Sequence, residues 1–568
     1  MGPCCPQDAV QVFLQLLRSP PTTSPKRPSQ FLSQAIKRRM LRDRGNTQDI
    51  HSLLLCPDPS RRLSRSYHSA VPLGAGGFGQ VFRMEHYQTG EIRAIKIIRK
   101  PPELDELQRI LNEVCALLQL DHPNIAKLYE YFEDRRAIYL VTELCTGGNL
   151  GELDPQVDDP DEIRLLFRDV VRAVAYCHSE GIAHRDLKFE NCLLTGCQGR
   201  RRGRMAKVID FGLAGIKPGR PGSSESWMSE VVGTLYFLAP EVLKSRDPLY
   251  SYGFECDLWS LGVMIFFVLT NEHPFCSSAA GPEDAFRRII RGPLRESYMK
   301  AAGASEDAKQ LVRLLLKKEP LSRLSASGAL LQPWLQPPDA LSDAETESSE
   351  SPRLLPGRLE NLRMLVDRIL SFSKFSRFEQ AILTVAAHEA RGRDVDDLSA
   401  MFAALDPSNV GWITREDFRR AISASGLNKS EQEEEAILKA LDPDVDEKIQ
   451  LTDWLAATMK PAQITSPKSV EELFNFFDFR GKGVISHDDL SQVLGREMAC
   501  HVAMQARADE EGQISKDSFR AFILHAMERL ELQAQQEKEK ALQLPPSCSS
   551  ATQTPLPSPD TAMHAVLI

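Results

Sequence analysis

His184-Arg185-Asp186-Leu187-Lys188-Phe189-Glu190-Asn191 is the stretch that decides how this 568-residue chain folds, and Asp210-Phe211-Gly212 and Ala239-Pro240-Glu241 follow it in that order. Upstream, Leu73-Gly74-Ala75-Gly76-Gly77-Phe78-Gly79-Gln80-Val81 spaces its glycines as G-x-G-x-x-G-x-V, so backbone amides can close over a polyphosphate without a clashing Cβ. A dinucleotide-binding turn carries the same glycines but leads into a helix. Here Gln80-Val81-Phe82-Arg83 reads as a second strand, which makes the loop the tip of a hairpin. Lys96 follows in a β-branched strand, and Glu113, in the helical pattern Leu111-Asn112-Glu113-Val114, is placed to pair with it. A lysine in a strand is usually an edge residue and nothing more. Four motifs in one order, at workable distances, reverse that reading.

Around this stretch the composition divides the chain. Apolar residues make 42% and charged residues 26%, which excludes collagen, a repetitive fibre and wholesale disorder. Residues 1–66 form a basic, Pro- and Ser-rich extension, read as mostly disordered with a short helix near Ala9–Leu17; up to residue 65 it holds eleven Lys/Arg against four Asp/Glu. The net charge is -9, so the body is acidic. Twelve cysteines without a C-x-x-C pair argue against a disulfide framework or a zinc ribbon and fit a reducing, cytoplasmic setting. The longest apolar run, Val263 to Leu269, is too short to span a bilayer. From 67 to 335 strand patterns come first and helical ones later, as in a two-lobed α+β unit. Residues 336–384 open as an acidic Ser-rich linker, after which Leu359, Leu362, Val366 and Ile369 share one helical face with Arg358, Arg363 and Arg368 nearby. Residues 385–526 repeat, with Asp406, Asp442 and Asp478 each 36 positions apart and a fainter copy from Arg507. Residues 527–568 read as a helix and then a disordered tail.

On these motifs residues 67–335 resemble a eukaryotic protein kinase, and the fourfold repeat makes the chain similar to a calcium-dependent protein kinase. The resemblance implies a two-lobed α+β kinase fold followed by an all-α, calmodulin-like EF-hand domain. It also implies ATP and Mg²⁺, and protein Ser/Thr substrates. Leu73, Gly74, Gly76, Gly79 and Val81 would cover the nucleotide, Lys96 oriented by Glu113 would hold its phosphates, and Glu143 and Cys145 would meet the adenine from the hinge behind Thr142. Asp210 and Asn191 would bind Mg²⁺, Asp186 would accept the substrate hydroxyl proton, and Lys188 would neutralise the moving phosphoryl group. That lysine, with Gly233-Thr234, points to serine/threonine specificity. Asp257 resembles the brace of the catalytic loop and Glu241 with Arg323 the pair that ties the large lobe together. Phe189 departs from the family, which usually has Pro there, and Asn149 replaces an acidic residue common in basophilic relatives. The segment 340–384 would block the cleft until calcium-loaded lobes draw it away, in a chain expected to be a monomer.

An EF-hand loop needs oxygen ligands at positions 1, 3, 5, 9 and 12, a carbonyl at 7, and Gly at 6. Loop 406–417 keeps Asp406, Ser408, Gly411 and Thr414 but has Val410 at position 5. Loop 442–453 offers Asp442, Asp444, Asp446, the Lys448 carbonyl, Gln450 and Asp453, the best set for Ca²⁺, although Glu447 replaces the glycine. Loop 478–489 places Arg480 and Lys482 where oxygens belong, and loop 507–518 opens on Arg507 and closes on Ser518, so both are expected to be empty. Altered calcium dependence follows.

The activation segment holds Ser223, Ser224, Ser226 and Ser229 beside Glu225 and Glu230, and an acid there is expected to pair with Arg185 in place of a phosphate. Met1-Gly2-Pro3-Cys4-Cys5-Pro6 lacks the hydroxyl at position 6 that myristoylation wants, whereas acylation of Cys4 and Cys5 with the basic head would give peripheral membrane contact. Arg61-Arg62-Leu63-Ser64 has the form of a basic-directed phosphorylation site. Nothing reads nucleic acid. The competing class is a catalytically silent scaffold that uses the EF-hand module to bind partners, disfavoured because Lys96, Asp186, Asn191 and Asp210 are all kept.

Overall fold

The computed structural model describes residues 62–543, less 77–78, 102–103, 197–203, 218–227, 229, 246–250, 278–280, 337–355, 391–392, 408–409, 425–429, 443–446, 461–463, 479–481, 495 and 510. Cys4, Cys5, the four activation-segment serines, Glu225, Ser408, Asp444, Asp446, Arg480, the acidic linker and the tail from 544 therefore lie outside the described residues.

Five strands, β1 (Tyr67–Gly76), β2 (Gly79–His86), β3 (Ile92–Arg99), β4 (Leu128–Glu133) and β5 (Ala137–Thr142), form an antiparallel sheet in the order β1-β2-β3-β5-β4. Alternation decides its faces. Phe82 and Met84 on β2 and Ile95 and Ile97 on β3 are buried with Tyr139 and Val141 in one cluster, and a Phe82 so enclosed contributes about 1.5–3 kcal/mol. Ile98, Tyr131, Ile138 and Leu140 belong to a second cluster with Ile110, Val114 and Leu118 of helix α1 (Leu104–Gln119).

The larger lobe is helical. Helix α2 (Pro160–Ser179) starts with Pro160 in its first turn and an Asp159 side chain that accepts from the Asp161 amide, an N-cap worth about 1 kcal/mol. Helix α3 (Glu255–Thr270) is buried over almost its whole length and ends on Asn271 in the left-handed conformation. Arg323 donates from two nitrogens to Glu241 at 2.7 and 3.0 Å, as the tie between their segments expected from sequence.

Beyond residue 356 the chain is helical, interrupted by short strands that pair between successive loops. Helix α4 (Pro356–Ser373) carries the amphipathic stretch, and α5 (Arg377–Glu389) opens with a capping box between Ser376 and Glu379. Helices α6 (Arg393–Ala404), α7 (Arg415–Ala424), α8 (Glu431–Leu441) and α9 (Leu451–Thr458) frame the first two loops. Their strands β6 (Ile413–Thr414) and β7 (Lys448–Ile449) pair as Ile413↔Ile449. Helices α10 (Pro467–Phe477), α11 (His487–Leu494), α12 (Arg496–Gln505) and α13 (Lys516–Gln543) frame the other two, with β8 (Val484–Ile485) paired to β9 (Ile514–Ser515). All four repeats thus adopt paired helix-loop-helix form, the faint fourth included.

The amphipathic helix α4 packs against α8, α9 and α13, burying Val366 and Ile369, while Arg368 donates to the Thr458 carbonyl at 2.9 Å. Its described partners are helices of the repeats. The repeat module lies against the two-lobed unit, and its buried apolar residues continue that unit's core in one cluster. Arg93 on β3 reaches Glu389 at 2.7 Å, Thr452 donates its amide to Asp121 at 2.8 Å, and Lys448 meets Glu180 at 2.9 Å. Trp412 stands edge-on to Tyr176 of α2 under the Lys448 ammonium. A Cβ on the adjacent Gly411 would fall 2.4 Å from the Tyr176 ring, so only glycine permits this approach.

Candidate active site

The glycine-rich segment is the tip of the β1-β2 hairpin, where Gly74 pairs with Val81 and Gly76 with Gly79. Gly79 has φ +144, and a Cβ there would lie 2.2 Å from the Ile97 carbonyl oxygen, so the tip reaches the neighbouring strand only as glycine. A second strand follows, as a hairpin cradle requires and a dinucleotide turn does not. Leu73 is half exposed above the cleft.

Below this roof, the Lys96 ammonium donates to Glu113 at 2.6 Å and to Asp210 at 2.7 Å. Burial works against its charge, but the two carboxylates outweigh it and hold Lys96 above its ordinary value; the same contact overcomes burial to hold Asp210 below the usual carboxylate range. Phe211 is buried beside His184, which turns its neighbour Asp210 outward. Asp210 and Arg185 both have left-handed backbones, at φ +63 and +68, the stored strain often found at working sites.

In the catalytic loop Asp186 accepts from Lys188 at 2.6 Å and from Thr234 at 2.9 Å, and Lys188 also reaches Thr234 at 3.2 Å. Asn191 gives its Nδ2 to the Asp186 carbonyl at 2.8 Å, leaving Oδ1 available as an oxygen ligand. That oxygen and the Asp210 carboxylate are a hard donor set that fits Mg²⁺. The loop is held by Asp257, which accepts from the His184 and Arg185 amides at 2.9 and 2.8 Å and contacts His178 at 2.9 Å. Phe189 keeps the loop seated without proline, packing against Phe237 and Phe267.

At the hinge the Glu143 amide is spent on the Lys127 carbonyl at 2.9 Å and its carboxylate on Lys207 at 2.9 Å. Burial, with Glu143 adding to it, pushes the Cys145 thiol up to about 12, so this cysteine is no nucleophile. Thr142 turns its hydroxyl to the Ala94 carbonyl.

Two contacts were not legible in the motifs. Thr234 binds both catalytic-loop side chains. Glu230 lies 3.6 Å from Arg185 and 3.5 Å from Arg109 of α1, joining activation segment, catalytic loop and small lobe. The expectation of a standing acid named Glu225 and Glu230 together, and it is Glu230 that makes the contact among the described residues.

The EF-hand ligands are dispersed in role. Asp442 is buried and accepts from Arg415 and the Glu447 amide, with Glu447 at φ +65 where a loop wants glycine. The Lys448 ammonium turns to Glu180 and leaves its carbonyl, the group the loop would use, in place, while Gln450 and Asp453 open helix α9. An ion at Asp442 would meet a guanidinium already bound to one of its two oxygens. No group of three or more His, Cys, Asp or Glu able to hold a metal occurs among the described residues. No helix among them is long and apolar enough to cross a membrane.

Comparison with known proteins gives the same division. Residues 67–335 match the protein kinase domain family, and 395–459 and 450–497 match EF-hand domain pairs. Calcium-dependent protein kinase 17 of Arabidopsis thaliana is 31% identical over 478 residues, covering 82% of this chain and 84% of the relative. Calcium-dependent protein kinase 3 of Oryza sativa is 30% identical over 79% of each chain, and calcium-dependent protein kinase 5 of Plasmodium falciparum 28% identical over 79% of this chain and 76% of the relative.

Proposed function

The chain belongs to the calcium-dependent protein kinase family, serine/threonine kinases that join a kinase domain to EF-hand pairs, and from that premise we propose the roles of its residues and the form of its regulation. The observation that carries the catalytic reading is the Lys96 ammonium held between Glu113 and Asp210 at 2.6 and 2.7 Å, across a cleft whose floor holds Asp186.

Lys96 positions the α- and β-phosphates of ATP, and Leu73, Gly74, Gly76, Gly79 and Val81 close over them. Backbone groups of Glu143 and Cys145 meet the adenine. Mg²⁺, when bound by Asp210 and Asn191, neutralises phosphate charge and aligns the terminal phosphorus. Asp186 orients the incoming Ser or Thr hydroxyl and takes its proton, while Lys188 stabilises the charge on the transferring group. A basic-peptide assay tests this: Asp186→Asn should lower turnover by 10²-fold or more, and equal activity would return the chain to the scaffold reading.

Regulation is read from the placement of α4. Held by EF-hand helices, with Val366 and Ile369 buried, it supports a released state; 340–384 is then the segment that closes the cleft in another. Calcium dependence is altered in this chain, because Asp442, first ligand of the best-furnished loop, is already engaged. Truncation at residue 336 combined with chelation of the full chain tests it. Higher activity after truncation with no response to chelator is the expected pattern; full loss with chelator would overturn it. Acylation of Cys4 and Cys5, cytoplasmic location with peripheral membrane contact and a monomeric state complete the proposal.

A further inference from the structure

The second EF-hand loop holds its first-position carboxylate against a cation that the chain itself supplies. Arg415 donates from Nε to Asp442 Oδ2 at 2.9 Å, and its Nη2 lies 2.8 Å from the same oxygen. The Asp442 side chain is fully buried and that of Arg415 is 19% exposed. Register puts them together: Thr414 pairs with Lys448 in the two-stranded ladder between the loops, so the residue after Thr414 stands at the mouth of the neighbouring loop. Glu435 lies 3.8 Å from Arg415 on its other side.

The other loops show what is distinctive. In the first, Asp406 accepts from the Val410 and Gly411 amides, and in the third Asp478 accepts from the Lys482 and Gly483 amides. In the second, the Glu447 amide and the Arg415 guanidinium reach the same Asp442 oxygen, and Asp446, at the place of Val410 and Lys482, lies outside the described residues. A buried carboxylate needs a positive partner, and a planar fork fixed by that ladder is one that does not depend on an ion in solution.

We propose that Arg415 stands in for calcium at Asp442, keeping the first EF-hand pair closed and docked on the kinase when no ion is present. This deepens the regulatory reading given above and rests on it. The pair then works as a constitutive clasp, and calcium adds to it only where the arginine's charge has been removed.

The test compares melting of the full-length protein in chelator and in millimolar calcium, with Mg²⁺ constant. Wild type should melt at one temperature in both. Arg415→Gln should melt at least about 2–4 °C lower in chelator and recover with calcium, whereas Arg415→Lys, which keeps the charge, should stay indifferent to calcium. A wild type stabilised by calcium as much as Arg415→Gln, an Arg415→Gln that melts like wild type in chelator, or one that calcium fails to restore would each overturn the proposal. Should Arg415→Gln not fold, calorimetric titration of wild type decides: micromolar calcium binding abolished by Asp442→Asn overturns it, and its absence supports it. Peptide phosphorylation by the same wild-type preparation is read separately, since its loss would count against the transferase assignment and leave the melting result intact.

Discussion

Arg93, in the middle of the small-lobe sheet, donates to Glu389, the last residue of α5, at 2.7 Å across 296 positions of sequence. The Arg93 side chain is 5% exposed and its guanidinium also covers the Tyr129 ring at 3.5 Å, so the pair is a desolvated bridge between kinase and EF-hand module. Removing one partner leaves the other charge buried. Glu389→Gln should therefore cost about 3 kcal/mol in the urea unfolding of the full chain. A loss under 0.5 kcal/mol, on the order of an exposed pair, would show that water reaches the site.

Glu230 bridges Arg185 and Arg109 with an exposed carboxylate, so each contact is weak and the value lies in tying three segments together. Glu230→Gln should reduce turnover roughly 3- to 10-fold, equivalent to about 1 kcal/mol in the barrier, with little change in stability. Phosphatase treatment of wild type should leave activity unaltered. Strong inactivation by phosphatase would place the controlling charge on a phosphorylated side chain instead.

Asp257 gives a pH signature. Burial opposes its charge, but the hydrogen bond and charge of His178, with the Arg185 amide, hold its carboxyl below the ordinary range. A folded value below the unfolded one, near 3.9, means the stabilisation is present above that pH and lost as pH falls through the folded value. Asp257→Asn should cost about 2–4 kcal/mol at pH 7, and the gap from wild type should narrow below about pH 4. A gap independent of pH would trace the loss to packing.

Gly79→Ala tests the hairpin roof. Its Cβ collides with the Ile97 carbonyl, so the tip must lift from β3. KM for ATP should rise at least 10-fold while melting shifts little, because the tip lies over the cleft and outside the core. Unchanged KM would mean that the tip relaxes without leaving the nucleotide.

Much of the site is legible because its chemistry is packed into contiguous words. Lys96 and Asp210 lie 114 positions apart, yet each sits in a short motif whose residue types suit one reaction. The strand Ile92–Arg99 is visible in its alternation, and the α4 face in its spacing. What covers that face is not, since periodicity records that a stripe is apolar and leaves its partner unnamed. The docking contacts Arg93–Glu389, Asp121–Thr452 and Tyr176–Trp412 carry no local pattern. Arg415 belongs to no motif, and only the pairing of Thr414 with Lys448 brings it to Asp442.

The seat of Trp412, edge-on to Tyr176 and beneath the Lys448 ammonium, gives the protein a built-in optical gauge. Parting module from catalytic body would strip that indole of both neighbours, so a protein that keeps Trp412 alone of its five tryptophans should report the separation by its emission.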